Sequence, residues 1–275
     1  MLDFTPSVPA SQTVLFALLV SHPTGFQAAR CLVAPGAIAA GNVRFWYTTT
    51  RRCFCLMNYL SHHALARRIR PGGDGDFFAG NLLPDLLSAS GDGRIRTAGD
   101  HAGAVADGVR LHIATDKIFH GATAFHAAQS EADALIRAAP WETSPRRRFF
   151  VAHVLVELAL DAHLLGESPE LPDDLYRVLA ASLRGDLIAR AETLAGQPVP
   201  NLRGSIERFL AAGFLRDYAT PAGLARSLTR VCRRAGVPNF ESPADKETLA
   251  GVFEAFAPHV AGGMTDLVRT APIAP

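Results

Sequence analysis

GVRLHIATDKIFH, residues 108–120, sets His112, Asp116 and His120 four residues apart in a segment of helical periodicity. At about 100° per residue these side chains share one stripe of one helix face. Val109, Leu111, Ile113, Ile118 and Phe119 supply the burying surface, and no Pro or Gly interrupts the run after Gly108. Two ligand-type side chains one turn apart, roughly 6 Å along the axis, can hold one metal ion. His120 lies about 12 Å from His112 along that axis, too far to share its ion, which leaves it for a second ion or a substrate phosphate.

A second stripe reinforces the first. FFVAHVLVELALDAHLL, residues 149–165, carries His153, Glu157 and Asp161 at the same four-residue spacing in a far more apolar setting. Such a helix is expected to be buried. There Glu157 and Asp161 would each cost several kcal/mol unless paired or bound to a cation. Two helices that each aim His and carboxylate groups inward read as halves of one polar site. The alternative is a buried ion-pair network with Arg110 or Arg148 as the cation.

The composition, 48% hydrophobic and 19% charged over 275 residues, is that of a globular protein with ample core. A net charge of +1 gives no sign of a nucleic-acid binder, and nothing resembles a nucleic-acid module, a phosphate-cradling glycine loop or a serine-hydrolase elbow. Cys31, Cys53, Cys55 and Cys232 lack zinc-ribbon spacing and do not suggest a disulfide framework, so a reducing cytoplasm is expected.

Residues 1–56 differ from the rest: four arginines against the single acid Asp3, no lysine and no sustained periodicity. Their most apolar run, Val14–Val20, is too short to span a bilayer, and no positive charge precedes it as in a signal peptide. The expectation is a disordered appendage or a start codon placed too early. From Met57 onward the pattern predicts an all-α domain to residue 275, with helices near 58–69, 76–87, 100–119, 123–138, 149–165, 173–194, 203–217, 221–235 and 244–269. Pro84 should kink or end a turn and present Asp85 there, and Pro258 should kink the last helix. Ser144-Pro145 reads as the N-cap and first position of the second ligand helix, which Gly166 closes.

Met57-Asn58-Tyr59-Leu60-Ser61-His62, followed by Gly80-Asn81-Leu82-Leu83-Pro84-Asp85, resembles the opening of the acyl carrier protein phosphodiesterases, and Gly108-Val109 with His112 and Asp116 matches their next helix. The resemblance covers roughly Met57–Leu165. It implies an all-helical fold related to the HD-type metal hydrolases, a divalent ion, usually manganese, and removal of 4′-phosphopantetheine from holo-acyl carrier protein. The chain departs from the family pattern at several places. Ala64, with His63 beside it, stands where a second His is usual; His120 replaces an aspartate; and His163 is displaced by one from an Asp-His pair.

Mixed His and carboxylate ligands suit Mn²⁺, Fe²⁺ or Zn²⁺ better than Ca²⁺, with Mg²⁺ less natural and Mn²⁺ favoured by the resemblance. The expected principal site is His62, Asp85, His112 and Asp116, of which Asp85, His112 and Asp116 carry the chemistry, with His153, Glu157 and Asp161 as further ligands or their supports. Arg67, Arg68 and Arg70, and the run Arg146, Arg147 and Arg148, suit an acidic partner such as an acyl carrier protein; the second run stands in a helical first turn, where positive charge opposes the dipole. No membrane partner is expected. The rival functions are hydrolysis of another small phosphate ester and a non-catalytic helical protein with a buried polar network.

Overall fold

A computed structural model describes residues 59–260, and the fold is all-α, with no strand among the described residues. The helices are α1 (Tyr59–Ile69), α2 (Gly75–Ser90), α3 (Ala104–Gly121), α4 (Thr123–Ala138), α5 (Arg148–Glu167), α6 (Leu171–Arg184), α7 (Leu187–Ala195), α8 (Leu202–Ala212), α9 (Pro221–Arg234) and α10 (Pro243–Val260), with a 3-10 helix at Phe214–Ala219 before α9. The expected appendage, residues 1–56, lies outside the described residues, as do Met57, Asn58 and the last helix beyond Val260.

Helix α5 is the central core element. By length and composition it is apolar enough to cross a membrane, yet 67% of that window is buried inside the fold, where α1, α4, α9 and α10 cover it. Val151, Leu155, Val156 and Leu160 are fully buried. An apolar surface on nearly every side is what a helix surrounded by other helices requires.

Helices α2 and α3 meet backbone to backbone. A Cβ on Gly80 would fall 2.2 Å from the Val105 carbonyl oxygen, and one on Gly108 would fall 2.1 Å from that of Phe77. Both positions therefore need glycine for close approach. The contact fixes the register between the two helices, setting Asp85 and Asn81 of α2 against His112 of α3.

Several boundaries differ from those the sequence predicts, and at the start of α5 tertiary contacts override a local signal. Pro84 neither ends nor breaks α2, which runs on to Ser90; the turn that lacks its N–H is embedded among buried Leu82, Leu83, Leu86 and Leu87. Ser144 and Pro145 do not cap α5. The helix starts at Arg148 from Arg147 in the left-handed region (φ 50°), so of the three arginines only Arg148 is helical. Side chains from the C-terminal region fix the preceding loop: Asp245 accepts from the Glu142 N–H (2.8 Å), and Asn239 accepts from the Arg146 N–H (2.9 Å) and donates to its carbonyl (3.0 Å). These bonds satisfy the groups a local cap would otherwise serve. Gly166 lies inside the last turn of α5 and does not close it. The segments 173–194 and 203–217 are each two elements, divided near Gly185 and at Gly213, whose φ of 55° stops α8. Pro258 is carried within α10.

Candidate metal centre

His62 of α1, Asp85 of α2, and His112 and Asp116 of α3 converge. The His62 Nε2 lies 3.5 Å from Asp116 Oδ1 and 3.9 Å from Asp85 Oδ2; the His112 Nε2 lies 3.8 Å from Asp116 Oδ2 and 3.9 Å from Asp85 Oδ1. The two imidazoles stack with centroids 3.9 Å apart, between the carboxylates. His62, His112 and Asp85 are almost wholly buried, and Asp116 keeps slight exposure.

Asn81 orients the His112 ring and ties α2 to the backbone of α1 at His62. Its carbonyl accepts a hydrogen bond from His112 Nδ1 (2.8 Å), and its side-chain amide donates to the His62 carbonyl (2.8 Å). A carbonyl accepts only, so the proton of neutral His112 sits on Nδ1 and the Nε2 lone pair faces the carboxylates. Burial, then the neighbouring His62, push the His112 pKa down to about 3, which keeps it neutral. This backbone bond to the far ring nitrogen is the usual support of a metal-binding histidine.

The charges fit a cation. Burial first, then the charges of Asp116 and Glu157, push Asp85 well above the usual carboxylate range. Burial also pushes Asp116 upward, but the adjacent His62 imidazole, with His112 and His120, outweighs it and holds Asp116 at about 2. Within the protein both His62 ring nitrogens, Asp85 Oδ2 and Asp116 Oδ1 are buried without a hydrogen-bond partner. Unpaired buried acceptors are costly, and a divalent ion would satisfy several together. Ligand atoms of His62, His112 and Asp116 lie within 4.8 Å of one another, as one ion requires.

A second group stands beside the first. His120 of α3 and His153 of α5 direct their Nε2 atoms at one oxygen of Glu157, at 3.1 and 3.0 Å. The sequence had left His120, two turns beyond His112 on the first stripe, for a second ion or a substrate phosphate, outside the expected principal site. Asn81 and Ser61 were also missed, because backbone-directed supports have no distinctive spacing.

Asp161, expected among the further ligands or their supports, bonds to the backbone just before His62. Its carboxylate accepts from the Leu60 and Ser61 N–H groups (2.9 and 2.8 Å) and from the Ser61 hydroxyl, tying the first turn of α1 to α5. Burial pushes its pKa up to about 7 against these bonds. The ion-pair network through Arg110 or Arg148 is excluded: Arg110 pairs with Asp107 at the surface, and Arg148 with Asp133. His63 points away to Asp174 (2.8 Å), and His163 lies near Glu167 at the far end of α5.

The arginine runs divide by setting. Arg67 is held by Asp174 and lies over the Phe78 ring, and Arg70 lies over Phe77, so both have structural partners; Arg68 is exposed. At the start of α5, Arg146, Arg147 and Arg148 are exposed next to Phe149, which is 73% exposed. Phe149 stands one turn before His153. Glu157 also lines a cavity of about 330 Å³, walled by Leu86, Val154, Phe209 and Val231, with Arg230 and Arg234 among its lining residues.

The fold and site thus define an all-helical protein whose buried imidazole and carboxylate groups could hold a divalent ion. Residues 57–260 match the acyl carrier protein phosphodiesterase family, and the chain belongs to it. Comparison with curated proteins and with solved structures finds no match.

Proposed function

We propose that this chain is a metal-dependent phosphodiesterase that removes 4′-phosphopantetheine from holo-acyl carrier protein, in the cytoplasm, with Mn²⁺ as the preferred ion. The observation that carries the reading is a juxtaposition. The chain belongs to a family described by this activity, and its buried His/carboxylate groups include a partly exposed His153 one turn along α5 from exposed Phe149, which adjoins exposed Arg146–Arg148. An acidic carrier protein is complementary to such a rim, and an exposed aromatic beside arginines is a common anchor at protein interfaces.

His62, His112 and Asp116 would hold the ion, with Asp85 facing both imidazoles from α2. Bound there, a divalent ion neutralises charge on the phosphoryl group and lowers the pKa of a nearby water. The protein's own groups do the rest. Asn81 fixes the His112 tautomer, the surrounding core excludes bulk solvent, and Asp85, facing both imidazoles, accepts the proton of the attacking water and returns it to the leaving oxygen. The water oxygen bonds to phosphorus as the phosphorus–oxygen bond to the carrier breaks, and the carrier's hydroxyl oxygen takes up a proton.

Protein with Mn²⁺ should convert holo-acyl carrier protein to its apo form, seen as a mass loss equal to phosphopantetheine. Asp85→Ala should abolish the conversion while the helical circular dichroism stays near wild type. High salt should slow turnover of the carrier more than of a small diester, because surface attraction is screened beyond ~8 Å at physiological ionic strength. Turnover of small diesters with the carrier untouched would overturn the carrier assignment and leave a small-ester hydrolase.

A further inference from the structure

We propose that His120, His153 and Glu157 form a second divalent-ion site, distinct from the one at His62, His112 and Asp116 and joined to it through the His120 ring; the proposal rests on the metal-dependent reading above and extends it. The ligand atoms of these three residues lie within 4.8 Å of one another, and two of them come from different helices. Both imidazole Nε2 atoms approach the same Glu157 oxygen, at 3.1 and 3.0 Å. The rings are nearly parallel, 15° apart with centroids separated by 5.0 Å, and the edge of Phe125 packs against each at about that distance. Their orientation is therefore fixed by packing before any ion arrives.

Hydrogen bonds alone leave this cluster incomplete. Glu157 is 1% exposed, and its second oxygen, Oε2, is buried with no partner within the protein. Arg110 and Arg148 are engaged by Asp107 and Asp133, so neither supplies the compensating charge. A divalent ion held by two imidazoles and this carboxylate would supply it. Such a His₂Glu set is the three-ligand arrangement that leaves positions open for water or substrate. The openings have an outlet, since the His120 and His153 side chains are 22% and 23% exposed whereas Glu157 behind them is not.

The two sites communicate through one ring. With Nε2 of His120 directed at the second site, its Nδ1 faces Asp116 Oδ1 at 3.9 Å, and Asp116 belongs to the first. An ion on Nε2 leaves the ring proton on Nδ1, on the side of Asp116, so filling the second site places a cation close to a ligand of the first.

Ion counting tests this independently of turnover. Full-length protein stripped by a chelator is titrated with Mn²⁺, and bound ion is read from the loss of the free Mn²⁺ electron paramagnetic resonance signal. Manganese is the probe because Cys31, Cys53, Cys55 and Cys232 would compete for softer ions. Wild type should take up about two ions per chain, His153→Ala and Glu157→Gln about one each, and His112→Ala about one, while the His112→Ala/His153→Ala double variant retains essentially none. Circular dichroism controls for folding, and partly exposed His153 tolerates truncation should Glu157→Gln not fold. A wild type that binds one ion, or His153→Ala and Glu157→Gln variants that bind as many as wild type, would overturn the proposal. Inactivity on acyl carrier protein with two ions bound would instead sink the substrate assignment and leave this site standing.

Discussion

Helices α3 and α5 carry the same kind of stripe, ionisable side chains every fourth residue, and the fold uses the two differently. On α3 the whole stripe goes to the two groups that could hold an ion: His112 and Asp116 belong to the first, and His120 to the second. On α5 the stripe divides, with His153 and Glu157 directed to the second group and Asp161 spent on the backbone of α1. A buried carboxylate demands compensation, and free N–H groups at a helix start can provide part of it in place of a cation. Spacing identifies groups that need a partner without saying whether the partner is a metal or a peptide.

The largest expected effect separates these uses on the α3 side. His112→Ala should lower turnover by about 10³-fold, equivalent to about 4 kcal/mol of lost transition-state stabilisation, and empty the first ion site with little change in helical circular dichroism. Normal Mn²⁺ binding in this variant would break the comparison, since the α3 stripe would then be packing polars.

Asp161→Ala is the converse test on α5. It strands the Leu60 and Ser61 donors in the core, so denaturant unfolding should show a loss of about 3 kcal/mol. Because Asp161 ligates nothing in this arrangement, the Mn²⁺ count of the folded fraction should match wild type. Loss of an ion at unchanged stability would return Asp161 to the ligand set.

The sequence made the four-residue stripes, the all-helical class and the apolar character of α5 legible because each is a periodicity within one helix. Assignment of Asp161, His120 and Asn81 was not, since each depends on which atom of another helix lies opposite. The start of α5 was misread for the same reason: Ser144-Pro145 has a strong local signature, and Asp245 and Asn239, about a hundred residues away, override it.

Two smaller effects sharpen the picture. Gly108→Ala should cost about 2 kcal/mol, read from denaturant unfolding, as the added methyl pushes α3 from the Phe77 carbonyl. It should also weaken the first ion site more than the second, because His112 takes its orientation from α2 while His153 and Glu157 stand on α5. Equal weakening would mean that the sites respond as one rigid unit. Ser61→Ala should cost about 1 kcal/mol, the contribution of one hydrogen bond, with Asp161 still held by two backbone donors.

The bond between Asp161 and the start of α1 joins residues 101 and 100 positions apart in sequence. Contacts that close so long a loop form late in folding, after local helices and hairpins of helices have had time to appear. His62 stands in the turn beside that contact, so a chain still emerging from synthesis carries α1, α2 and α3 before α5 exists for α1 to pack on. Assembly of the group that could hold an ion is thereby tied to completion of the central helix, and a half-made chain does not yet hold His62 in place.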